Sequence, residues 1–208
     1  MSGDETVWAT KFVNHPEYIF SVRADGMPDY QAFHWAYDRA QPIDPANMPT
    51  HLVVEKKPIP STDIFAIQGG VMVVSARLAE LMSGFDLGPA PTPDNPAPPR
   101  AELHPMPLYG LDGQTEIAKV ALLQVSNHKD GWVPEESLTS DYYEHRDQYS
   151  AYPGPQSLTV NPKALHGPDL WRDKRLRRIV FFSDRLHRAM AEAGMERLDE
   201  IHPCRMLD

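Results

Sequence analysis

Two copies of one short phrase hold the residues best suited to chemistry. Glu102, His104 and Pro105 recur as Glu200, His202 and Pro203, each time as Glu-apolar-His-Pro. Paired histidines among carboxylates could hold a metal ion, and a bound ion could activate water. A metal site, however, needs three or four converging ligands. Neither copy places a second His, Asp or Cys nearby at helical or hairpin spacing. Proline after each histidine biases it toward extended backbone, so both histidines are expected at strand ends in structural roles.

Other catalytic signatures are missing. The chain has no glycine-rich phosphate loop, no HExxH, no G-x-S-x-G and no Cys/His constellation. Asp63, Asp112, Asp130 and many glutamates could supply a carboxylate pair, but they are too numerous for one pair to stand out. The expectation is a protein with no catalytic residues, metal or cofactor. The competing expectation is a metal-dependent enzyme built on carboxylates with His104 and His202.

Binding chemistry is better represented. From Asp130 to Tyr152 the acids Asp130, Glu135, Glu136, Asp141, Glu144 and Asp147 alternate with Trp132, Tyr142, Tyr143, Tyr149 and Tyr152. Aromatic anchors supply buried area and a single sign of charge steers a basic partner, so this stretch suits a protein-binding patch. The alternative is an acidic loop whose rings tuck back onto the core. A second stretch, WRDKRLRR from Trp171 to Arg178, has five basic residues and one acid. It could contact phosphate, but its place just before an apolar strand fits a surface turn better.

These residues must be positioned by elements, and the pattern of the elements is itself repeated. VMVVSARLAELMSGF from Val71 and IVFFSDRLHRAMAEAGM from Ile179 share an apolar strand, a serine, x-Arg-Leu and a helical apolar stripe. Each ends in glycine followed by a large apolar residue. Ser75 and Ser183 are expected helix N-caps. Leu78, Leu81 and Met82 in one copy, and Leu186, Ala189, Met190 and Ala193 in the other, form the buried faces. Gly84-Phe85 and Gly194-Met195 are expected to close the helices in Schellman fashion. Arg77 and Arg185 occupy the same first-turn position, where the helix dipole disfavours a cation, so each should have a recurrent acceptor. The expected pairs are Arg77 with Glu102 and Arg185 with Glu200.

The copies differ chiefly by GPAPTPDNPAPPR, residues 88–100, which should be an exposed, semi-extended loop. Strands are expected at Val7–Val13, Tyr18–Val22, His51–Val54 and Ile117–Val125, with a short helix in Asp29–Arg39 carrying Tyr30, Phe33, Ala36 and Tyr37. The resulting fold class is α+β: a mixed β-sheet with a duplicated strand-helix-strand unit and a few short helices, in one domain of 208 residues. Residues 1–63 form a strand-rich part and 64–109 the first unit. Residues 110–162 hold a strand and the acidic-aromatic stretch, and 163–208 form the second unit.

Charge supports binding over a general nucleic-acid role. The net charge is −9, and residues 1–162 hold 10 Lys/Arg against 21 Asp/Glu. No apolar run approaches the ~18–20 residues of a membrane span, so no membrane partner is expected. The acidic start, MSGDETVW, lacks an export pattern, and Cys204 stands alone, ruling out an intramolecular disulfide or a Cys-based zinc site. A cytoplasmic address is expected, and a homo-oligomer is open.

The passages VVSARLAELM, FFSDRLHRAM and LTVNPKALHGPDLWRD resemble the bacterial immunity-protein family numbered eleven, over about Ile64 to Asp208. The proline-rich loop departs from that pattern. The resemblance implies a protein that binds and neutralises a cognate polymorphic toxin without a reaction of its own. It carries Ser75, Arg77, Leu78, Trp171, Arg172, Ser183, Arg185 and Leu186 over as fold residues. The toxin contact falls to Trp132, Glu135, Glu136, Asp141, Tyr142, Tyr143, Glu144 and Asp147, facing a basic, nuclease-type partner.

Overall fold

The computed structural model describes residues 5–10, 19–58, 61–95, 98–143, 148–151, 157–176 and 178–207. The fold is α+β and is built on two principal sheets. The larger holds seven strands: β2 (Ile19–Phe20), β3 (Val22–Asp25), β4 (His51–Val54), β5 (Ile64–Ile67), β6 (Val71–Ser75), β7 (Ala101–Tyr109) and β8 (Glu116–Val125). Their spatial order is β2-β5-β6-β8-β7-β4-β3. The two edge strands are thus neighbours in sequence, separated by Ser21 alone, so the sheet must curl until its edges meet. Where one strand was expected over Tyr18–Val22, the chain leaves one edge and joins the other; Tyr18 lies outside the described residues.

The first helix, α1 (Tyr30–Asp38), fills the face this curl encloses. Asp29 caps it, its Oδ1 accepting from Ala32 N at 2.9 Å. Phe33 and Tyr37 pack among Val22, Leu52, Phe65, Val73 and Leu122, a layer formed by alternate residues of five strands. The Tyr37 hydroxyl accepts from Met72 N at 2.7 Å and donates to Leu123 O at 3.1 Å. Met72 and Leu123 face each other across β6 and β8, so this hydroxyl is set into the ladder. Tyr37→Phe should therefore strand a buried amide and a buried carbonyl, lowering stability in urea titration by about 1–3 kcal/mol. A change below roughly 0.5 kcal/mol would show that the ladder closes without it.

The second sheet has the order β12-β13-β1-β14, from β1 (Val7–Thr10), β12 (Leu170–Trp171), β13 (Phe181–Ser183) and β14 (Ile201–Pro203). Two further pairs, β9 (Thr139–Tyr143) with β10 (Gln148–Ala151) and β11 (Thr159–Val160) with β15 (Arg205–Met206), stand outside both sheets. The helices α2 (Ala76–Ser83) and α3 (Asp184–Glu192) lie against each other between the principal sheets. Leu78, Met82, Leu186 and Met190 meet Met72, Leu123 and Phe182 there in one buried cluster. Burial of such side chains stabilises by roughly 1.5–3 kcal/mol each.

Both sequence units share one topology. In the first, β5 and β6 form an antiparallel pair, α2 follows, and β7 returns parallel to β6 with β8 between them. In the second, β12 and β13 pair antiparallel, α3 follows, and β14 returns parallel to β13 with β1 between them. The units therefore occupy separate sheets, and each opens with a strand, β5 or β12, that lies within the expected bounds 64–109 and 163–208 but ahead of the repeated phrase.

The proline-rich insertion is pinned at its base. Ala101 N donates to Leu87 O at 2.7 Å, and Gly88, at φ +104°, passes close to Arg100. Residues 91–95 are exposed, which is how the first unit tolerates them.

Candidate functional site

Serine, arginine and aspartate converge at the start of both unit helices. Ser75 accepts from Leu78 N and Ser183 from Leu186 N, each at 3.2 Å, as N-caps do. Their hydroxyls donate to aspartates: Ser75 Oγ to Asp63 Oδ1 at 2.6 Å, and Ser183 Oγ to Asp169 Oδ1. Arg77 closes the first group, Nε to Asp63 Oδ1 at 2.7 Å and Nη2 to Oδ2. Arg185 closes the second, donating from Nε and Nη2 to the two Asp169 oxygens at 2.6 Å each.

The expected partners Glu102 and Glu200 are thus corrected to Asp63 and Asp169. The reason is strand order. Each aspartate directly precedes the first strand of a hairpin whose second strand ends in the capping serine, and Ser75 N and Ser183 N donate to Asp63 O and Asp169 O. The glutamates lie on or beside β7 and β14, one intervening strand away from β6 and β13, and adjacent strands are already ~4.8 Å apart. Glu102 instead lies 3.9 Å from His104, and Glu200 is buried. The signal is present in TDIF and PDLW, where the same aspartate precedes the strand ahead of the repeated phrase.

These aspartates also bind across the units. Asp63 Oδ2 accepts from Glu196 N, just beyond α3, at 2.9 Å; Asp169 Oδ2 accepts from Asp86 N, just beyond α2, at 2.8 Å. Each unit's carboxylate therefore holds the chain leaving the other unit's helix. That chain leaves α3 through Gly194 at φ +63°, with Met195 N donating to Met190 O in the expected Schellman closure. Gly84 departs from expectation: its φ is −81°, so α2 ends in a right-handed turn.

The Arg77 guanidinium holds the Asp63 carboxyl at about 2, aided by Ser75 and Glu196 N and opposed by burial. At Asp169, burial pushes upward, but hydrogen bonds from Arg185, Ser183 and Asp86 N outweigh it and the pKa is lowered. Such carboxylates make poor bases. A cavity of about 330 Å³ adjoins Asp169, Ser183, Arg185 and His166, a set resembling a nucleophilic triad by composition. Its wiring differs, because the serine is bonded to an ionised carboxylate paired with Arg185 and not to histidine. The groups hold the fold.

The histidines of the repeated phrase do not converge either. His104, on β7, lies 3.1 Å from Gln124 Oε1, whereas His202 lies on β14 of the other sheet. Among the described residues, no group of three His, Cys, Asp or Glu is arranged to hold a metal ion.

No protein-family model and no curated protein matches this chain. Trp132, expected as a surface anchor, is 3% exposed and packs with Val160 and Trp171, its Nε1 donating to Ser137 Oγ at 2.9 Å. This corrects the expectation: the ring is apolar enough to fill a core, and Ser137 satisfies its one donor. Glu135 and Glu136 are exposed, the latter accepting from Arg205 at 2.9 Å. Asp141, Tyr142 and Tyr143 lie on β9, while Glu144 and Asp147 fall outside the described residues.

Three of the five basic residues in Trp171–Arg178 are engaged internally. Arg172 is 4% exposed and donates to Tyr37 O and Asp38 O; Arg175 pairs with Asp173 and Arg178 with Asp38. Trp171 is buried against Phe181, with Lys129 Nζ 3.5 Å from its ring centre. Burial pulls the Lys129 amine down to about 8, against the pull of Asp169 and Asp86. The expected helix in Asp29–Arg39 is present as α1, but Tyr30, expected among its helically spaced aromatics, is exposed with Trp35, and Arg39 stacks 4.3 Å over the Trp35 ring. Tyrosine, tryptophan and arginine are the residue types enriched at binding hot spots.

Proposed function

We propose that this chain is a non-catalytic, immunity-type protein that binds and neutralises a basic, nuclease-type toxin in the cytoplasm by occluding it. The observation that carries this reading is the β9–β10 ribbon. It pairs only with itself among the described residues and holds Asp141, Tyr142 and Tyr143 on its first strand, beside exposed Glu135 and Glu136. A two-stranded ribbon outside the main sheets can enter a partner's cleft without disturbing the core, and its acids would mimic a nuclease substrate. The short passages that resemble the immunity family point the same way, and Ser75 and Ser183 are bonded to aspartates and not to a histidine.

Co-expression with the product of a neighbouring toxin gene tests this. The intact chain should restore growth and form a complex whose association slows as salt rises. The variant Glu135→Lys/Asp141→Lys/Tyr142→Ala should bind at least about 100-fold more weakly, the scale of losing one or two hot spots, with its circular dichroism unchanged. Protection that survives in this variant would remove the ribbon from the interface. A stoichiometric metal ion in the purified protein, lost in His104→Ala/His202→Ala, would favour an enzyme instead.

A further inference from the structure

A second surface has the makings of a docking site, on the larger sheet and away from the ribbon. Strand β6 pairs with β8 only over Met72–Ser75, opposite Leu123–Val120, and the chain then lifts into α2. The first four residues of β8, Glu116 to Lys119, consequently have β7 on one side and no described strand on the other. All four are exposed. An open edge of this kind presents backbone donors and acceptors to any incoming strand.

The edge adjoins an apolar cleft of about 620 Å³. Its floor is Leu103, Pro105 and Pro107 on β7 with Ala121 on β8, and its wall is the Ala76, Ala79 and Ser83 side of α2. Helix α2 covers the β6 end of this sheet face but leaves Pro105 of β7 exposed and Leu103 and Pro107 part-exposed, its residues lining the cleft, Ala76, Ala79 and Ser83, being small. Ile117 and Leu111, 41% and 51% exposed, extend the apolar surface toward the β7–β8 turn. Glu80 and Glu116 stand on the rim against Lys119, so the rim is net acidic.

We infer that the β8 edge and this cleft together accept an extended segment of a partner protein, added as a strand beside Glu116–Lys119. Its side chains on the α2 face would pack at the near side of the cleft, beside Ala76 and Lys119, and lysine or arginine at its flanks would face Glu80 and Glu116. The backbone decides for a strand over a helix, since only an extended chain can pair with the free groups of β8 while placing every second side chain on one face. The proline at positions 105 and 107 confines strand addition to β8, because β7 lacks amides there. The inference concerns a different surface from the ribbon and stands whether or not the partner is a toxin.

The test uses the full chain labelled with nitrogen-15 and, as probe, an octapeptide alternating valine with lysine and threonine. Saturable amide shifts should gather at Glu116–Lys119 and along Ala76–Ser83. The same peptide N-methylated at every second residue should bind roughly tenfold more weakly or not at all. Ala79→Arg should weaken binding by a similar factor; Ala76→Arg, at an exposed position, repeats the test should the first variant misfold. Absence of shifts at β8, or shifts indifferent to N-methylation and to both variants, would overturn the inference. So would concentration-dependent self-association that protects the same four amides, which would assign the edge to a second copy of this chain.

Discussion

Asp169→Ala is expected to destabilise the protein by roughly 3 kcal/mol, and Asp63→Ala by somewhat less. Asp169 has 1% of its side chain exposed and accepts from Ser183, Arg185 and Asp86 N. Arg185 is 62% exposed and would rehydrate, so little of the loss comes from the ion pair itself. The loss comes from the part-buried Asp86 amide and Ser183 hydroxyl, left without their acceptor at about 1–3 kcal/mol apiece. Asn in place of Asp169 keeps oxygen but not the charge, so it should cost less than Ala. Because Asp63 and Asp169 each hold the chain leaving the other unit's helix, the double variant should depart from additivity.

The same groups give stability a defined dependence on pH. The folded Asp63 titrates at about 2, below its unfolded value near 3.8, and Asp169 is lowered in the same direction. A depressed carboxyl binds fewer protons folded than unfolded. Its contribution, about 2 kcal/mol for Asp63, is therefore complete above roughly pH 5 and is lost as pH falls through 4 toward 2. Urea titrations at pH 7 and pH 3 should show the Asp63→Ala/Asp169→Ala variant losing less stability on acidification than the parent. Part of the slope should remain with Asp112, held at about 2 by the Thr115 hydroxyl and the Gln114 and Thr115 amides. An unchanged slope in the double variant would refute the role given to the two aspartates.

Arg172→Ala should have an effect of similar size, about 3 kcal/mol, for a different reason. The buried guanidinium donates at 2.8 Å to Tyr37 O and at 3.1 Å to Asp38 O, the last carbonyls of α1. A cation at a helix C-terminus complements its dipole and satisfies groups that have no partner within the helix. Through this contact the chain just after β12 grips the helix that fills the larger sheet. Alanine removes the donors and leaves a cavity, whereas methionine fills most of the space and should cost only about 1–2 kcal/mol. Thermal unfolding of both variants measures the difference. Equal losses would mean that charge and hydrogen bonding, not packing, dominate at this position.

The elements that could be read from sequence are those whose causes are local. His51–Val54 is a strand as expected. Ile117–Val125 is one too, starting a residue earlier. Asp29 caps α1, Ser75 and Ser183 cap the unit helices, and Gly194 closes α3, because a cap depends on residues within one turn of the helix end. Leu78, Leu186, Phe33 and Tyr37 are buried because helical spacing alone places them on one face.

Whatever depended on which strand lies beside which was out of reach. The arginines did have recurrent acceptors, as their awkward place at a helix start implied, but the acceptors sat on the preceding hairpin strand and not on the strand after the helix. Trp132 carried the same aromatic signal whether it faced a partner or Trp171, and only packing against Val160 and Trp171 resolved it. The sequence alone determined that two strand-helix units recur with capped helices, an acidic front and a proline-rich insertion. Tertiary structure decided that the units sit in separate sheets, exchange their carboxylate contacts and, among the described residues, leave Glu116–Lys119 of β8 without a strand on the β6 side. Hydrogen-bond partners between strands are set by global topology, which periodicity within a segment does not encode.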